Sequence, residues 1–484
     1  MAVRLGCVAR TVGIAAIVGI ACGALPVAEP DGQQASLAAA AEQQSPELRD
    51  AEKRFLNQDF DGAYRALVEA RRQDPTLPPA QVMMAGMFSQ INAPGGVRLY
   101  LERAAKEEPN DPEAFVIMGE IAIGERRVTE AGMLFNHARS LLPNFKGGAK
   151  RKDPLERRTL AGLATYYEAR EEWANAEKYL LEWEKLEPRE AIVKQRLANA
   201  LFRQDRAKEA YDKLKQAKEV DPRALTPEAQ MALFYQQKGD SKRAAEWMTS
   251  ALGQAKDDPN TLVVAASWAL ENDRLEDAKK WASDALKYDK TSIPAMLLRG
   301  TVALFQKQYE DAEFYFETAF MQSPGTFAAS NNLALALIEQ EKHEQYARKR
   351  QKALELAENN VRQFQRTVWA AEAWSTYGWI LYKNNRPQQA LQALQQAAAS
   401  GALSEDTRYY LAVVLLDQDR REEARRLLRE ALESKRPFSK RDDAKLLLER
   451  LGGAGAAETN RQQSGSGEKS KPESTPEKKD KASQ

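Results

Sequence analysis

The stretch that decides the fold is Ile293–Pro324, IPAMLLRGTVALFQKQYEDAEFYFETAFMQSP, because most of the chain repeats its pattern. Apolar residues recur at helical spacing in both halves, and a polar turn at 306–309 separates them. We therefore predict a helical hairpin. Gly300 and Ala312 are small where the two helices must approach closely. A bulky side chain at Gly300 should overpack this crossing and cost ~1–3 kcal/mol.

The same unit recurs at a fixed period. Ala210, Ala244, Ala278 and Ala312 follow one another at intervals of 34 residues. A period of this length, filled by a helix, a turn and a second helix, is typical of a stacked solenoid. In such an array each unit buries its apolar face only against its neighbours.

Two units carry further residues of a known pattern, W…LG…Y…A…F…A…P. The matching positions are Phe115, Met118, Gly119, Ala131, Phe135, Ala138 and Pro143 in one unit, and Trp374, Tyr377, Gly378, Ala390, Leu394 and Ala397 in another. With these residues the chain resembles the tetratricopeptide repeat family over roughly 46–451. The resemblance implies an all-α fold, a right-handed α-α superhelical solenoid of about eleven hairpins whose first helices line a concave groove. It implies no particular ligand, because one fold serves many functions.

The ends of the chain differ from this array. Residues 1–10 carry two arginines and no acidic residue, and residues 11–28 carry no charge. This pattern predicts a signal peptide or an uncleaved N-terminal anchor in residues 1–28, with lipidation at Cys22 as a further alternative. We expect a linker in 29–45, the solenoid in 46–451 and a disordered polar tail in 452–484. The predicted location is periplasmic or extracellular, or anchored to the membrane by the N-terminal segment.

Three places break the repeat pattern. Ala93–Gly96 interrupts a turn and predicts a splayed helix pair. An insertion near 144–155 contains Lys146–Lys152, for which we predict a solvated basic loop, with contact to a phosphate or an acidic partner as the alternative. It lacks the spacing of a P-loop. A second insertion, near 342–368, predicts an elongated second helix.

The composition argues against several classes of function. The net charge is +1, from 71 basic and 70 acidic residues, whereas a nucleic-acid-binding protein would be expected to carry a basic surplus. Both cysteines, Cys7 and Cys22, lie in the leader, and the two histidines, His137 and His343, fall in separate repeats. We therefore predict no metal site, no cofactor and no nucleic-acid partner.

The resemblance implies that a partner binds on the inner face of the first helices. The partner-binding residues predicted there are Asn199, Phe202, Asn331, Leu335, Trp379, Tyr382 and Tyr409. The three aromatic residues at the C-terminal end would anchor a segment by apolar contact. The alternative is that these rings pack against their own second helices. A clamp for a terminal carboxylate, known in the family, is not expected because the asparagines lack basic companions.

These features favour a non-catalytic protein–protein interaction scaffold outside the cytoplasm, which binds partner segments and assists assembly of an envelope or secretion complex. The alternative is an enzyme that acts on glycans with carboxylates in the groove, which a cavity holding two close carboxylates of separated pKa would favour. Self-association through the end repeats is a further possibility for the partner.

Overall fold

The computed structural model describes residues 45–401, 403–434 and 436–464, and its regular structure there is helical, with twenty-three α-helices and no strand. The predicted all-α fold is therefore confirmed. The residues form two compact units, one ending at Lys256 and the other beginning at Asp257.

Six helix pairs make the first unit. Their bounds are α1 Pro46–Leu56, α2 Phe60–Gln73, α3 Ala80–Gln90, α4 Pro94–Glu107, α5 Glu113–Gly124, α6 Val128–Leu141, α7 Gly148–Ala169, α8 Trp173–Leu186, α9 Ala191–Arg203, α10 Ala207–Val220, α11 Pro227–Lys238 and α12 Ser241–Gln254. A short 3-10 turn, Leu142–Asn144, follows α6.

Five helix pairs and a final helix make the second unit. Their bounds are α13 Pro259–Glu271, α14 Leu275–Tyr288, α15 Ile293–Phe305, α16 Tyr309–Gln322, α17 Phe327–Ile338, α18 Tyr346–Phe364, α19 Ala370–Lys383, α20 Pro387–Ser400, α21 Glu405–Leu416, α22 Arg421–Glu433 and α23 Arg441–Ser464. Within each unit a helix packs mainly against the helices that precede and follow it, and first helices of successive pairs also touch, as α17 touches α19 and α19 touches α21. This is the packing of a helical solenoid.

A left-handed residue closes most hairpin turns. In the described part of the chain, ten hairpins have a turn residue with φ between 52° and 82°. They are Gln58, Asn92, Arg126, Glu171, Asp205, Gly239, Asp273, Lys307, Asn385 and Asp419. The next residue donates its N–H to a carbonyl five positions back, as Gln308 does to Ala303 at 2.8 Å. This bond satisfies a carbonyl at the helix C-terminus that would otherwise lack a partner.

The pair α17/α18 departs from this rule. Helix α17 ends at Ile338, and a longer turn, 339–345, leads to α18 without a left-handed residue. Helix α18 has 19 residues, which confirms the elongated second helix predicted from the spacing.

Glycine permits the close crossing in the opening stretch. A Cβ on Gly300 would lie 2.5 Å from the ring of Phe316, a fully buried side chain of α16. Real Cβ atoms are not found so close to a ring, so the expected overpacking at Gly300 has a structural basis.

The prediction of a splayed pair at Ala93–Gly96 is wrong. Helix α4 begins at Pro94, a position where proline is favoured because its missing N–H would have no helical partner. A Cβ on Gly96 would lie 2.4 Å from the ring of Phe88 on α3. The glycine therefore lets the two helices approach closely.

The prediction of a solvated loop at Lys146–Lys152 is also wrong. Helix α7 begins at Gly148 and runs for 22 residues, so the inserted residues extend a helix. Arg151 is 11% exposed and pairs with Asp111 at 2.8 Å and Glu113 at 2.6 Å. The sequence pattern could not show these partners, which lie on the preceding repeat.

The termini are described only in part. The predicted leader, the linker before Ser45 and residues 465–484 lie outside the described residues. Helix α23 runs to Ser464, past the expected boundary at Leu451. No described helix combines the length and apolar character needed to cross a bilayer.

Replacing Gly300 with alanine should lower the free energy of unfolding by ~1–3 kcal/mol, because the new methyl group meets the Phe316 ring. Urea unfolding of the full chain measures the effect. Gly253→Ala is the control, since this helical glycine has nothing within 4 Å of an added Cβ. The second change Phe316→Leu should recover part of the loss. Equal stability of Gly300→Ala and the parent chain would contradict the packing argument.

Arg126→Gly should raise the free energy of unfolding by up to ~1 kcal/mol, because Arg126 is an exposed residue in the left-handed region at φ 61°. Gly239→Ala should lower it by a similar amount, since Gly239 fills the same turn position at φ 82°. Urea unfolding of both variants measures whether the two changes in the free energy of unfolding have opposite signs. Two changes of the same sign would show that backbone strain does not govern these turns.

Candidate functional site

A cavity of about 770 Å³ lies at the irregular turn of the second unit. It is lined by the α15/α16 turn at 307–311, the α17/α18 turn at 339–343, Trp379 and Lys383 of α19, Tyr409 of α21, and Lys440 and Asp443 at the start of α23. The cavity therefore lies beside the described hairpin that lacks the tight left-handed turn.

Side chains hold this longer turn in place of the usual backbone bond. The Gln340 side-chain amide donates to Glu313 at 2.7 Å and to the carbonyl of Ala336 at 3.1 Å. Lys349 of α18 donates to the Gln340 oxygen at 3.0 Å. Nδ1 of His343 accepts the N–H of Gln345 at 3.0 Å. The turn is thus fixed by polar contacts to its own hairpin and to α16.

Glu339 is the central charged group of the cavity wall. One carboxylate oxygen accepts the indole N–H of Trp379 at 2.7 Å, and the other pairs with the Lys440 ammonium at 2.7 Å. The side chains of Glu339 and Lys440 are 9% and 8% exposed. A buried carboxylate is tolerated when it is paired and hydrogen-bonded in this way.

Trp379 lies at the centre of an aromatic cluster. Its ring stacks on Tyr410 at a centroid distance of 4.5 Å and on Tyr382 at 5.5 Å, and Tyr409 lies 6.0 Å away. The ammonium groups of Lys383 and Lys440 lie 5.0 and 5.8 Å from its centroid. Both distances are within the range of cation–π attraction.

The tyrosines of this region remain protonated at neutral pH. Burial raises the pKa of Tyr309 to about 12, with the nearby Glu339 carboxylate adding to the effect. Burial raises the pKa of Tyr409 further, helped by Asp443 and Glu339. Burial also raises the pKa of Tyr382 to about 12, together with its hydrogen bond to Asp417. The phenols that line the cavity therefore offer neutral O–H groups.

The structure brings together three of the residues predicted to bind a partner. Trp379 and Tyr409 line the cavity, and Tyr382 stacks on Trp379. Trp379 itself is only 3% exposed, and its stacking partners lie on α19 and α21. Their role in binding stays a prediction.

The other four predicted residues lie elsewhere. Asn331 and Leu335 are buried in α17, and neither lines the cavity. Asn199 and Phe202 belong to α9 of the first unit, where Phe202 packs against Phe234 and Tyr235 at centroid distances of 5.2 and 4.9 Å. Their binding role likewise stays a prediction.

Sequence reasoning missed several residues of the cavity, including Glu339, Lys440 and Asp443. The break in the 34-residue period at the ninth hairpin was a signal for the irregular turn that contains Glu339. No local pattern indicates Lys440 or Asp443, because their partners lie about three and four repeats earlier in the chain, respectively.

Three carboxylates of the cavity, those of Glu339, Glu341 and Asp443, are engaged in ion pairs. Lys307 pairs with Asp443 at 2.7 Å, and Lys383 pairs with Glu341. Among the described residues, two carboxyl groups have a raised pKa, Glu271 at about 7 and Asp406 at about 6, and neither lines the cavity. The described residues also contain no group of three or more His, Cys, Asp or Glu side chains arranged for a metal ion.

Asp406 lies on α21 and is 3% exposed. Its Oδ1 accepts the hydroxyl of Ser439 at 2.8 Å. Burial raises its pKa from 3.8 to about 6, while Ser439 and the Lys440 charge oppose the rise and Glu405 adds to it. The folded chain therefore binds a proton at this site more tightly than the unfolded chain.

This raised pKa predicts a pH dependence of stability. The contribution of Asp406 is fully present below pH 3.8 and is lost as the pH rises through about 6. The loss corresponds to roughly 3 kcal/mol, from about 1.4 kcal/mol per pKa unit. Asp406→Asn keeps an acceptor for Ser439 and should remove this part of the slope. Urea unfolding between pH 4.5 and 7.5 measures the free energy of unfolding of the parent chain and of Asp406→Asn. If its slope against pH is the same in both, Asp406 is not the titrating group.

A family model matches one segment of the chain. Residues 377–440 match the family model described as Tetratricopeptide repeat. No curated protein matches the sequence.

Several solved structures are similar at low identity. A tetratricopeptide repeat protein from Parabacteroides merdae is 15% identical, covers 52% of this chain and 95% of its own, and has a TM-score of 0.41. Yeast Tom70 is 15% identical. The match covers 88% of this chain and 97% of the Tom70 chain, with a TM-score of 0.35. TTC0263, a TPR protein of Thermus thermophilus, is 19% identical. The match covers 40% of this chain and 98% of the TTC0263 chain, with a TM-score of 0.34. The matched segment 377–440 includes Trp379, Lys383, Tyr409 and Lys440 of the cavity and is similar to tetratricopeptide repeats.

Proposed function

We propose that the chain is a non-catalytic protein–protein interaction scaffold and that it binds a segment of a partner protein in the cavity beside the α17/α18 turn. The observation that carries this proposal is the cavity itself, about 770 Å³ in volume, at the described hairpin where the tight turn is replaced. A volume of roughly 300–1,000 Å³ is typical of sites that enclose a ligand. It would hold a few side chains of a peptide.

The chemistry of the cavity wall suits a peptide. Tyr309 and Tyr409 provide aromatic surface next to Trp379, which is 3% exposed, and tyrosine is enriched among residues that dominate binding energy. The protonated phenols of Tyr309 and Tyr409 can donate to backbone carbonyls of a bound segment. Lys342 and Glu310 lie on the exposed rim and give it charges of both signs.

The proposal also places the protein outside the cytoplasm, where it assists assembly of an envelope or secretion complex. The N-terminal sequence supports export, because arginines in residues 1–10 precede the uncharged segment 11–28. Mass spectrometry of the mature N-terminus distinguishes cleavage, a retained anchor and lipidation at Cys22. An intact, unmodified leader in a cytoplasmic fraction would contradict export.

A photo-reactive amino acid at Lys342 should cross-link a partner in cells that produce the full chain. The same amino acid at Gln389, exposed on α20 and away from the cavity, is the matched control. We expect a partner that is recovered only from position 342. The same set of products from both positions would contradict a partner site at this cavity.

Tyr409→Ala should weaken binding of that partner by about 2 kcal/mol, because an aromatic anchor is lost from the wall. Titration calorimetry with the purified partner measures the effect. Tyr377→Ala is the matched control, since Tyr377 is a partly buried tyrosine of α19 outside the cavity lining. Equal affinity of the two variants would exclude Tyr409 as an anchor. Circular dichroism checks that both variants keep their helix content.

A further inference from the structure

One wall of the cavity is formed by a segment that follows the last hairpin. Ser439 donates to Asp406 of α21 at 2.8 Å, and Lys440 pairs with Glu339 at 2.7 Å. Asp443 pairs with Lys307 of the α15/α16 turn at 2.7 Å. The segment 437–443 therefore runs back from the end of the array and contacts three earlier places in the second unit.

The position of Lys440 has the chemistry of a site for an alkylammonium group. A carboxylate oxygen of Glu339 accepts from the ammonium, and the Trp379 ring lies 5.8 Å from it. A second hydrogen bond, from the Trp379 indole, fixes the orientation of the Glu339 carboxylate. An acid and an aromatic ring together are a recognised receptor for a cation, because both attract positive charge.

Lys383 offers an internal comparison. Its ammonium lies 5.0 Å from the same ring but pairs with Glu341, and the side chains are 22% and 53% exposed. The pair of Lys440 and Glu339 is 8% and 9% exposed. Two ammonium groups therefore lie over the same tryptophan ring: that of Lys440 is enclosed, and that of Lys383 lies at the rim.

The rest of the cavity also favours a positive group. The phenols of Tyr309 and Tyr409 lie near Glu339 and Asp443, whose negative charges help to raise the pKa of both tyrosines. Glu310 and Asp311 add further acidic groups at the exposed rim. Five carboxylates and four lysines line the cavity, and replacing Lys440 by an external ammonium leaves this small acidic excess in place. An acidic excess disfavours an acidic peptide and attracts a basic one.

We propose that this cavity recognises a lysine side chain of the partner segment and that residues 437–443 are an internal ligand occupying the same place. The inference rests on the proposed function, because it names the chemistry of the partner bound there. A partner lysine takes the place of the Lys440 ammonium on Glu339 and over Trp379. Since a tethered ligand has a high effective concentration, the internal segment lowers the apparent affinity for the partner.

The test uses a synthetic fluorescent peptide with the sequence of residues 436–443, RPFSKRDD, and the full-length protein. Fluorescence anisotropy compares the parent chain with Lys440→Met, which removes the internal ammonium and keeps a long apolar side chain. We expect the variant to bind the peptide at least tenfold more tightly. The matched control is Lys352→Met, which removes an exposed ammonium that pairs with Glu317 outside the cavity lining and should bind like the parent chain.

Two further measurements show whether the lysine is what is recognised. The peptide carrying Lys440→Ala should bind the Lys440→Met protein at least tenfold more weakly than the unchanged peptide. Adding Glu339→Gln to the Lys440→Met protein should produce a similar loss. Equal binding of the two peptides, or equal binding by the parent chain and Lys440→Met, would overturn the proposal.

A measurement on the parent chain covers the case in which Lys440→Met fails to fold. Titration with millimolar peptide should shift the NMR signal of the Trp379 indole N–H, assigned by its absence in Trp379→Phe, because its acceptor Glu339 changes partner. An unmoved signal at saturating peptide would overturn the proposal. A partner that cross-links at position 342 but binds independently of its lysines would refute this inference and leave the proposed function intact.

Discussion

The hydrogen bond that closes ten of the eleven described hairpin turns is the constraint on which the rest of the structure depends. An N–H next to a left-handed residue bonds a carbonyl five positions back, and this arrangement recurs at ten described turns. Because it ends the first helix and starts the second at a fixed offset, it keeps the apolar faces of successive pairs in phase. The cavity lies where this bond is missing. A local change in backbone closure therefore creates the main candidate for a binding site.

The ion pair of Glu339 and Lys440 fixes the geometry of that cavity. Burying both charges carries a desolvation cost, so the pair is weak evidence of net stability. Removing one partner would leave a buried charge, and this asymmetry makes alternative positions of segment 437–443 unfavourable. The ion pair therefore selects one position of segment 437–443 and adds little net stability. The same asymmetry explains how one ammonium could replace another there with little net change in electrostatic energy.

Periodicity predicted what is local and repeated. The hairpins, the close crossing at Gly300 and the elongated α18 all follow from spacing along the chain, and the structure confirms them. The interpretation of Ala93–Gly96 and Lys146–Lys152 failed because turn-forming composition also suits the first turn of a helix. Arg151 is stabilised there by acids of the preceding repeat, which a local pattern cannot show. Lys440 was missed for the same reason. Trp379 and Tyr409 were among the predicted residues because they lie on first helices, and their binding role stays a prediction.

The charges around the cavity determine whether it can bind the terminal carboxylate of a peptide or a cationic side chain. A clamp for a carboxylate needs cationic groups that are free to bind it. Lys307, Lys383 and Lys440 are each paired with a carboxylate of the chain, so most of the positive charge around the cavity is already neutralised. The aromatic face of Trp379, in contrast, already bears two ammonium groups. The wall is therefore better matched to cations than to the acidic chain ends that a carboxylate clamp would bind.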